Sequence, residues 1–565
     1  LVSLLAACSH ARPLQTERLA PTPAVLDRQC NEAIGPARVL EPAPGVFMAI
    51  GYDTANVILV KTPEGNVIID TGMSPARARE IKAALDAKAP GPVKAVILTH
   101  SHIDHVGGAS VWAGDDTPIW GTDAFRDHLL KQYALFQQAE MRRGAGQFGE
   151  HVPVELLPCS ALGRRADFDG ARENGVRIPN RTFSGAATFS VGGVRFELYE
   201  AHGETHDQLF VWVPQLRALM PGDNYYHSFP NLYTIRGTSA RPVDAWIASL
   251  DAMRALSPVA IVPSHTVPVV GEAVIAQQLT DYRDAIQWVR DETVRGANAG
   301  RSADALAAGI KLPAHLAGKP YLAEMYGQLD WSVRGIYGSN LGWFDERPEA
   351  LYPADAAAKE IALMGGPAKV EAEAARALAA GDVRWAVFLL AKLTDTLTGD
   401  EAKRVGELLA NALETEAAQT FNTNGRGYLY ESAFRLRNGI PKSSMVKVDD
   451  ALLREIPVAA FFKIMAIRLM PDKAGDVFES ITVNMTDSKE SYHVTVRRGV
   501  AEVVQGAPLP GTPAPVATLT TDSMTWKRLG LKQASPAGAI ASGKLSIDGS
   551  TTGLLSFLGR FDTDL

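Results

Sequence analysis

Cysteine is scarce in this chain: 565 residues carry three, Cys8, Cys30 and Cys159. Their spacings fit neither a zinc knuckle nor a redox CxxC pair, so neither organises the fold. Cys159 reads as an inert buried thiol, and the other two lie near the start. Long apolar runs are also missing after the first few residues. No later stretch approaches the roughly 20 residues that a membrane-spanning helix needs. Basic blocks are missing too. Lysine and arginine are scattered and the net charge is only −7, so no nucleic acid partner is expected.

What is present is the composition of a soluble globular protein, 46% hydrophobic and 21% charged, on a chain too long for one core. A typical domain of about 150 residues suggests three or four units. The opening residues, Leu1-Val-Ser-Leu-Leu-Ala-Ala-Cys8, resemble the end of a signal-peptide apolar region. Within them Leu5-Ala6-Ala7-Cys8 resembles a bacterial lipobox, whose cysteine becomes the lipidated N-terminus. An apolar signal peptide cut elsewhere is the alternative. Both imply export, to the bacterial periplasm or as a membrane-anchored lipoprotein with its lipid anchor at Cys8. Residues 9–28 are polar and rich in Pro and Ala, as a tether is.

From about Val39 to Leu98 the pattern is rich in strands, with short apolar runs at Val57-Ile-Leu-Val60 and Val67-Ile-Ile69 around a turn at Thr62–Gly65. A helix with Ala76, Ile81 and Leu85 on one face follows, then the buried strand Ala95-Val-Ile-Leu98. This density of strand, turn and helix predicts an α/β layer fold with its site on loops at strand ends. Residues 120–180 lack clear periodicity and read as an inserted lid or substrate loop. Strands resume at Phe196–Glu200 and Leu209–Val213, and helices are predicted near Asp244–Leu256 and Glu272–Glu292. From Pro348 to about Asn438 the chain is helical and rich in alanine, with antiparallel amphipathic helices at Val370–Ala380, Trp385–Leu397 and Ala402–Phe421. Beyond Val446 two alternating strands, Ser480–Thr486 and Ser491–Arg497, and a short apolar helix at Leu554–Leu558 read as a small α+β domain.

The chemistry concentrates at Thr99-His-Ser-His-Ile-Asp-His105. His100, His102, Asp104 and His105 occupy six residues before Gly107-Gly108, in a chain with 12 histidines. Imidazoles with a carboxylate suit divalent zinc, and the alternation sends some ligands to one metal and some to a second. A turn after a strand can point all four inward, whereas a helix cannot.

This spacing resembles the metallo-β-lactamase superfamily. The resemblance implies an α/β fold of the αββα sandwich type. It also implies that Asp70-Thr-Gly72 supports the ligands from behind, since metal-bound histidines need outer partners to fix their tautomer. Glu204 occupies a position where a ligand histidine is usual, Asp223 matches a carboxylate bridging two metals, and His265 in Pro263-Ser-His-Thr266 matches the last ligand. A glutamate at 204 resembles the alkylsulfatases that hydrolyse dodecyl sulfate, and Asn231-Leu-Tyr-Thr-Ile-Arg-Gly237 is similar to their N-L-Y-T-L-R-G segment. Leu341-Gly-Trp-Phe-Asp345 resembles the start of their dimerisation domain. The C-terminal part resembles their sterol-carrier-like domain.

The domain plan so implied is a truncated signal, lipobox and tether at 1–34, a catalytic domain at 35–335, an all-α dimerisation domain at 336–443 and an α+β sterol-carrier-like domain at 444–565. The resemblance further implies a homodimer, a small-molecule alkyl sulfate substrate and two Zn2+ per chain. His100, His102 and Glu204 would hold one zinc and Asp104, His105 and His265 the other, with Asp223 between them. Asn231 and Arg236 would grip the sulfate, because a planar guanidinium fork and a neutral amide suit a small oxyanion. His227 would either protonate a leaving oxygen or support Asp223. The alkyl chain would need an apolar surface, for which Leu452, Phe461, Phe462, Met465 and Leu469 are candidates, ordinary core being their alternative reading.

Four departures from that family stand out. Asp223 is a shorter carboxylate than the family's usual Glu. His202 and His206 add polar groups that could compete as ligands. Asp207 is another new polar group near them. Phe148-Gly149 stands where a Tyr-Gly contacts sulfate, so one hydroxyl donor is lost from the binding pair Phe148 and Gly149. Two rival functions follow: hydrolysis of a lactone, phosphoester or aryl sulfate on the same metal site, or a non-catalytic exported carrier of lipid or surfactant.

Overall fold

Period-two alternation of apolar side chains builds the centre of the molecule. The computed structural model describes residues 22–131, 135–351, 356–441 and 448–562. The residues read as a lipobox, Cys8 among them, lie outside the described residues. Seven strands form a first sheet in chain order: β1 (Arg38–Ala43), β2 (Val46–Ile50), β3 (Val57–Thr62), β4 (Gly65–Ile69), β5 (Val93–Ile97), β6 (Ile119–Thr122) and β7 (Arg181–Phe183). The first four are antiparallel, and the pairings from β4 to β7 are parallel. A second sheet orders β13 (Val269–Val270), β12 (Ala260–Ile261), β11 (Ala218–Met220), β10 (Leu209–Val213), β9 (Val194–Glu200) and β8 (Ala186–Val191).

The two sheets face each other. Ile58, Val60, Val67, Ile69 and Ile97 share one core with Leu198, Leu209, Val211 and Val213. The intervening Phe210 and Trp212 point the other way, into a second core with Trp246, Leu250, Leu279 and Ile286 of the helices Val243–Ala255 and Glu272–Asn298. On the first sheet's outer side the helix Pro75–Asp86 buries Ala78, Ile81 and Leu85. Helix, sheet, sheet, helix is the αββα sandwich expected. Its parallel strands all deliver their C-terminal ends to one edge, and the histidine loop leaves β5 at that edge.

Residues 24–34, expected to end a tether, are helical instead. An α-helix Ala24–Arg28 runs into a π-helix Gln29–Ile34, with Leu26, Cys30 and Ile34 buried. Cys30 is bonded to Cys159. Cys159 is therefore no free thiol, which corrects the reading from spacing. A pairing across 129 residues depends on the fold and leaves no local trace. The stretch 120–180 also holds more order than expected, with helices Phe125–Lys131 and Gln137–Phe148. Only its later part, up to β7, is largely irregular.

A helical module follows: Pro367–Ala379, Val383–Thr394, Gly399–Gln419 and Thr423–Asn438, packed as neighbours in chain order. Side-chain caps start two of them, Asp382 on the Trp385 N–H and Asn422 on the Gly425 N–H. Its core takes in Val152, Leu156 and Leu157 of the irregular stretch.

The chain divides into two compact units, Leu1–Leu129 with Gln138–Lys447, and Leu130–Gln137 with Val448–Leu565. The second contains a five-stranded sheet in the order β16 (Val500–Gln505), β15 (Ser491–Arg497), β14 (Phe478–Met485), β17 (Pro515–Thr521), β18 (Leu545–Gly549). Phe462 stacks on Tyr492 and Trp526, with ring centroids 4.1 and 4.9 Å away. Leu452, Phe462 and Leu469 are buried as core, while Phe461 and Met465 are half-buried. Among the described residues no helix is long and apolar enough to cross a membrane.

Candidate metal centre

One carboxylate organises the histidine loop. Asp70 follows β4 with φ at +57°, a left-handed backbone that Asp tolerates better than most residues. This turns its buried carboxylate under the loop leaving β5. It accepts from the Thr99 N–H at 2.9 Å, the Thr99 hydroxyl at 3.0 Å, the Ser264 hydroxyl at 2.6 Å and His105 Nδ1 at 2.8 Å. The Thr71 hydroxyl and N–H both donate to the His105 carbonyl at 2.7 Å. Across the cleft His265 Nδ1 donates to the Thr54 carbonyl at 2.9 Å. Both rings thus spend Nδ1 on an outer acceptor, which fixes the tautomer and leaves Nε2 a bare ligand atom facing the pocket.

Asp223 comes from the short 3-10 turn Gly222–Asn224 after β11. Its Oδ2 stands 3.1 Å from His265 Nε2, 3.4 Å from His105 Nε2 and 3.8 Å from His100 Nε2. Asp104 Oδ2 lies 3.5 Å from His265 and 3.6 Å from His105. Two ligand groups result, His100, His102 and Asp223, and Asp104, His105 and His265, each with its donor atoms within 4.8 Å of one another. His105 Nε2 and Asp223 Oδ1 are buried with no hydrogen-bond partner, as orphan donors to a cation are.

The electrostatics agree. Burial holds His100 and His102 well below their ordinary value, so both rings are neutral. At His105 and His265 burial works the same way, but Asp223 and Asp104 outweigh it and the rings are pushed up. Burial in turn opposes charge on Asp223, and His105 and His265 overcome it to hold the carboxyl well below its usual range. The pocket therefore draws in positive charge, supplied by protons where no metal is bound. Nitrogen and carboxylate donors in this mixture suit a divalent transition metal.

Glu204 sits at the edge of this set. One of its oxygens is 4.0 Å from His102 Nδ1, while the other is in a buried ion pair with Arg241. Burial raises its carboxyl to about 7 against the pull of Arg241. Its backbone is pinned by Asn224, whose Oδ1 accepts the Glu204 N–H at 3.0 Å. Arg236 reaches the same pocket, with Nη2 3.2 Å from His102 Nε2. Asn231 is buried, and both ends of its side-chain amide lack partners. Phe148 packs beside Leu162, Tyr226 and Tyr326, and the Gly149 carbonyl accepts from Arg165.

Three histidines that the sequence places near Glu204 or Asp223 do not join the cluster. His227 Nε2 is 3.1 Å from Gln278 Oε1, and its ring lies by Tyr225 and Tyr321. His202 bonds Glu200 at 3.0 Å, and His206 bonds the Ala240 carbonyl at 3.0 Å. Among the described residues no hydrogen bond joins His227 to Asp223. Sequence reasoning also missed Arg241, Arg143 and Gln147. The last two hold the Arg236 peptide, Arg143 through the Arg236 carbonyl at 2.6 Å and Gln147 through the Arg236 N–H at 2.9 Å.

The likenesses to known proteins fit this geometry. Residues 50–265 match the model of the metallo-beta-lactamase superfamily, 302–439 that of alkyl sulfatase dimerisation and 447–564 that of the alkyl sulfatase C-terminal domain. A linear primary-alkylsulfatase from Pseudomonas sp. is 30% identical over 527 residues, 89% of this chain and 98% of that protein. An (R)-specific secondary-alkylsulfatase from Pseudomonas sp. is 30% identical over 553 residues, 93% of this chain and 81% of that one. The solved structure of a stereoselective inverting sec-alkylsulfatase from Pseudomonas sp. superposes with a TM-score of 0.85 at 28% identity, covering 95% of this chain and 86% of that one. With its metal-ligand cluster on an αββα sandwich and relatives matched along nearly the whole length, the chain belongs to the alkylsulfatase family of metal-dependent hydrolases.

Proposed function

We propose that this protein hydrolyses alkyl sulfate esters to an alcohol and inorganic sulfate, using two zinc ions per chain. The observation that carries the reading is the meeting of two metal-ligand groups with one guanidinium: Arg236 Nη2 lies 3.2 Å from His102, itself a member of the first group. His100 and His102 would hold one zinc, with Glu204 offering the oxygen that Arg241 leaves open. Asp104, His105 and His265 would hold the other, and Asp223 Oδ2, close to ligands of both groups, would be shared. Bound zinc would supply Lewis acidity and depress the pKa of an attacking water.

The chain's own residues do the rest. Arg236 remains cationic although burial lowers its pKa, and it offers a planar fork to the sulfate oxygens. The unpaired Asn231 amide adds a neutral donor in a buried position. Asp70 and the Thr54 carbonyl hold His105 and His265 facing the pocket. Phe148, without a hydroxyl, offers a flat apolar wall where an alkyl group would lie. His227 takes no part in the proposed mechanism.

The match of the helical module to a dimerisation model supports a homodimer. The Cys30–Cys159 bond supports an oxidising compartment, in line with export to a bacterial periplasm. Acylation at Cys8 would add the membrane anchor.

The test is release of inorganic sulfate by the zinc-loaded full chain from dodecyl sulfate and a secondary alkyl sulfate, run beside an acyl lactone, an aryl sulfate and a phosphodiester. We expect alkyl sulfates to be turned over fastest, metal analysis to give about two zincs per chain and chelation to abolish activity. Preference for the lactone or the phosphodiester, or full activity without metal, would refute the reading.

A further inference from the structure

Arg143 and Gln147 lie one turn apart on the helix Gln137–Phe148, and both reach the segment Thr234–Gly237. Arg143 Nε donates to the Arg236 carbonyl at 2.6 Å, and its Nη2 donates to the Ile235 carbonyl at 2.7 Å. Gln147 Oε1 accepts from the Arg236 N–H at 2.9 Å and from the Thr234 hydroxyl at 2.8 Å. One helix thus claims both the N–H and the C=O of the residue that faces the pocket. Thr234, held by Gln147, in turn receives Arg236 Nη1 at 3.2 Å. The direction of the guanidinium is set from behind, through its own backbone and through its neighbour's hydroxyl.

That helix is seated on the helical module. Gly427 of the Thr423–Asn438 helix lies so close that a Cβ there would stand 2.6 Å from the Gln147 carbonyl, and a Cβ on Gly146 would stand 2.9 Å from the Tyr428 ring. Arg435 donates to the Arg142 carbonyl at 2.7 Å, and His151 Nδ1 bonds Glu431 at 2.9 Å. The contacts run without a break from the helical module to Arg236.

We propose that Gln147 and Arg143 are positioning residues that aim Arg236 at the sulfate group, and that the Thr423–Asn438 helix holds them in place. The inference rests on the reading of Arg236 as a sulfate clamp. Gln147 is the sharper element, because one buried oxygen serves two donors. Replacing it by leucine leaves the Arg236 N–H and the Thr234 hydroxyl without that acceptor, and the guanidinium loses its aim. Small misplacements of a positioning group cost up to about a hundredfold in rate or affinity.

The experiment compares wild type with Gln147→Leu, Arg143→Ala and Arg143→Lys as zinc-loaded full chains. KM for dodecyl sulfate and the inhibition constant of inorganic sulfate are measured beside kcat, metal content and melting temperature. Gln147→Leu and Arg143→Ala should raise both KM and the sulfate inhibition constant by about tenfold. Their kcat should stay within about threefold of wild type, with metal content unchanged. Arg143→Lys, which keeps one donor, should recover part of the loss. Should Gln147→Leu fail to fold, the two Arg143 variants make the same comparison from the carbonyl side. Unchanged KM and sulfate inhibition, or a loss confined to kcat, in an active wild-type background overturns this inference alone. A wild type that liberates no sulfate from any alkyl sulfate overturns the functional reading and this inference together.

Discussion

The histidine loop Thr99–His105 and the segment Asn231–Gly237 meet at one pocket, where Arg236 touches His102, yet different parts of the chain hold them. The loop is fixed by the sandwich itself. Asp70, at the end of the strand beside β5, takes four donors from Thr99, His105 and Ser264, so the ligands inherit the rigidity of the sheets. The segment Asn231–Gly237 contains no strand. Its Arg236 end is held by Arg143 and Gln147 on a helix whose own support is the helical module, while Tyr226 and Arg241 hold its Asn231 end. The contrast separates two tasks. The sandwich supplies the metal-ligand pocket, and under the proposed function the outlying helices aim the guanidinium that would hold the sulfate beside it.

The contrast can be broken at several points. The largest effect should come from the loop: His105→Ala should remove turnover by on the order of a thousandfold or more and lower metal content, since it deletes a ligand outright. Loss of activity with both metals retained would show that the ligand set is misassigned. Next in size is the Cys30→Ser, Cys159→Ser pair. Cys159 packs with Leu26, Cys30, Ile34 and Ala161 in a small core apart from both metal-ligand groups. Melting should report a loss of about 2–4 kcal/mol, with metal content unchanged. Asp70→Asn follows. Asparagine tolerates the left-handed backbone at this position but removes the charge and turns one acceptor oxygen into an amide donor, so metal affinity or activity should fall by about 10–100-fold. An equal fall in sulfate affinity would mean that the two regions are not separately held.

The smallest effect is a pH dependence at the module. The Glu431 carboxylate accepts from His151 and raises the ring above its ordinary 6.5, with burial opposing. Glu431 and Glu150 favour the charged ring, and Arg435 disfavours it. A raised histidine adds stability that is complete below the unfolded value and is lost as the pH rises through the folded one. The melting temperature of wild type should therefore drop between pH 6 and pH 8 by about a degree or two more than that of His151→Gln. Parallel curves for the two proteins would remove His151 from the account.

The same contrast governs what the residues disclosed in advance. His100, His102, Asp104 and His105 were legible because the ligands are contiguous and follow an apolar strand. Asp70, Asp223 and His265 were legible through the family resemblance. The sandwich was legible because alternation in Leu209–Val213 states which residues face which core. Arg143, Gln147 and Arg241 were not, since each acts on residues far along the chain or through backbone atoms, and no local pattern records that. His227 shows the opposite case. Four residues from Asp223, it looked like a neighbour, but its ring is engaged by Gln278. The Cys30–Cys159 pairing was illegible for the first reason, a partner 129 residues away.

That bond has a consequence for how the protein is made. Cys30 and Cys159 bracket β1 to β6, six of the seven strands of the first sheet. The ends of so long a segment meet by chance at an entropic cost, and the assembled sheet removes that cost by bringing them together. Oxidation of this pair is therefore a chemical record that the sheet carrying the histidine loop has formed. Titrating the Cys30 and Cys159 thiols on newly synthesised chains would count the molecules in which this segment has not yet closed.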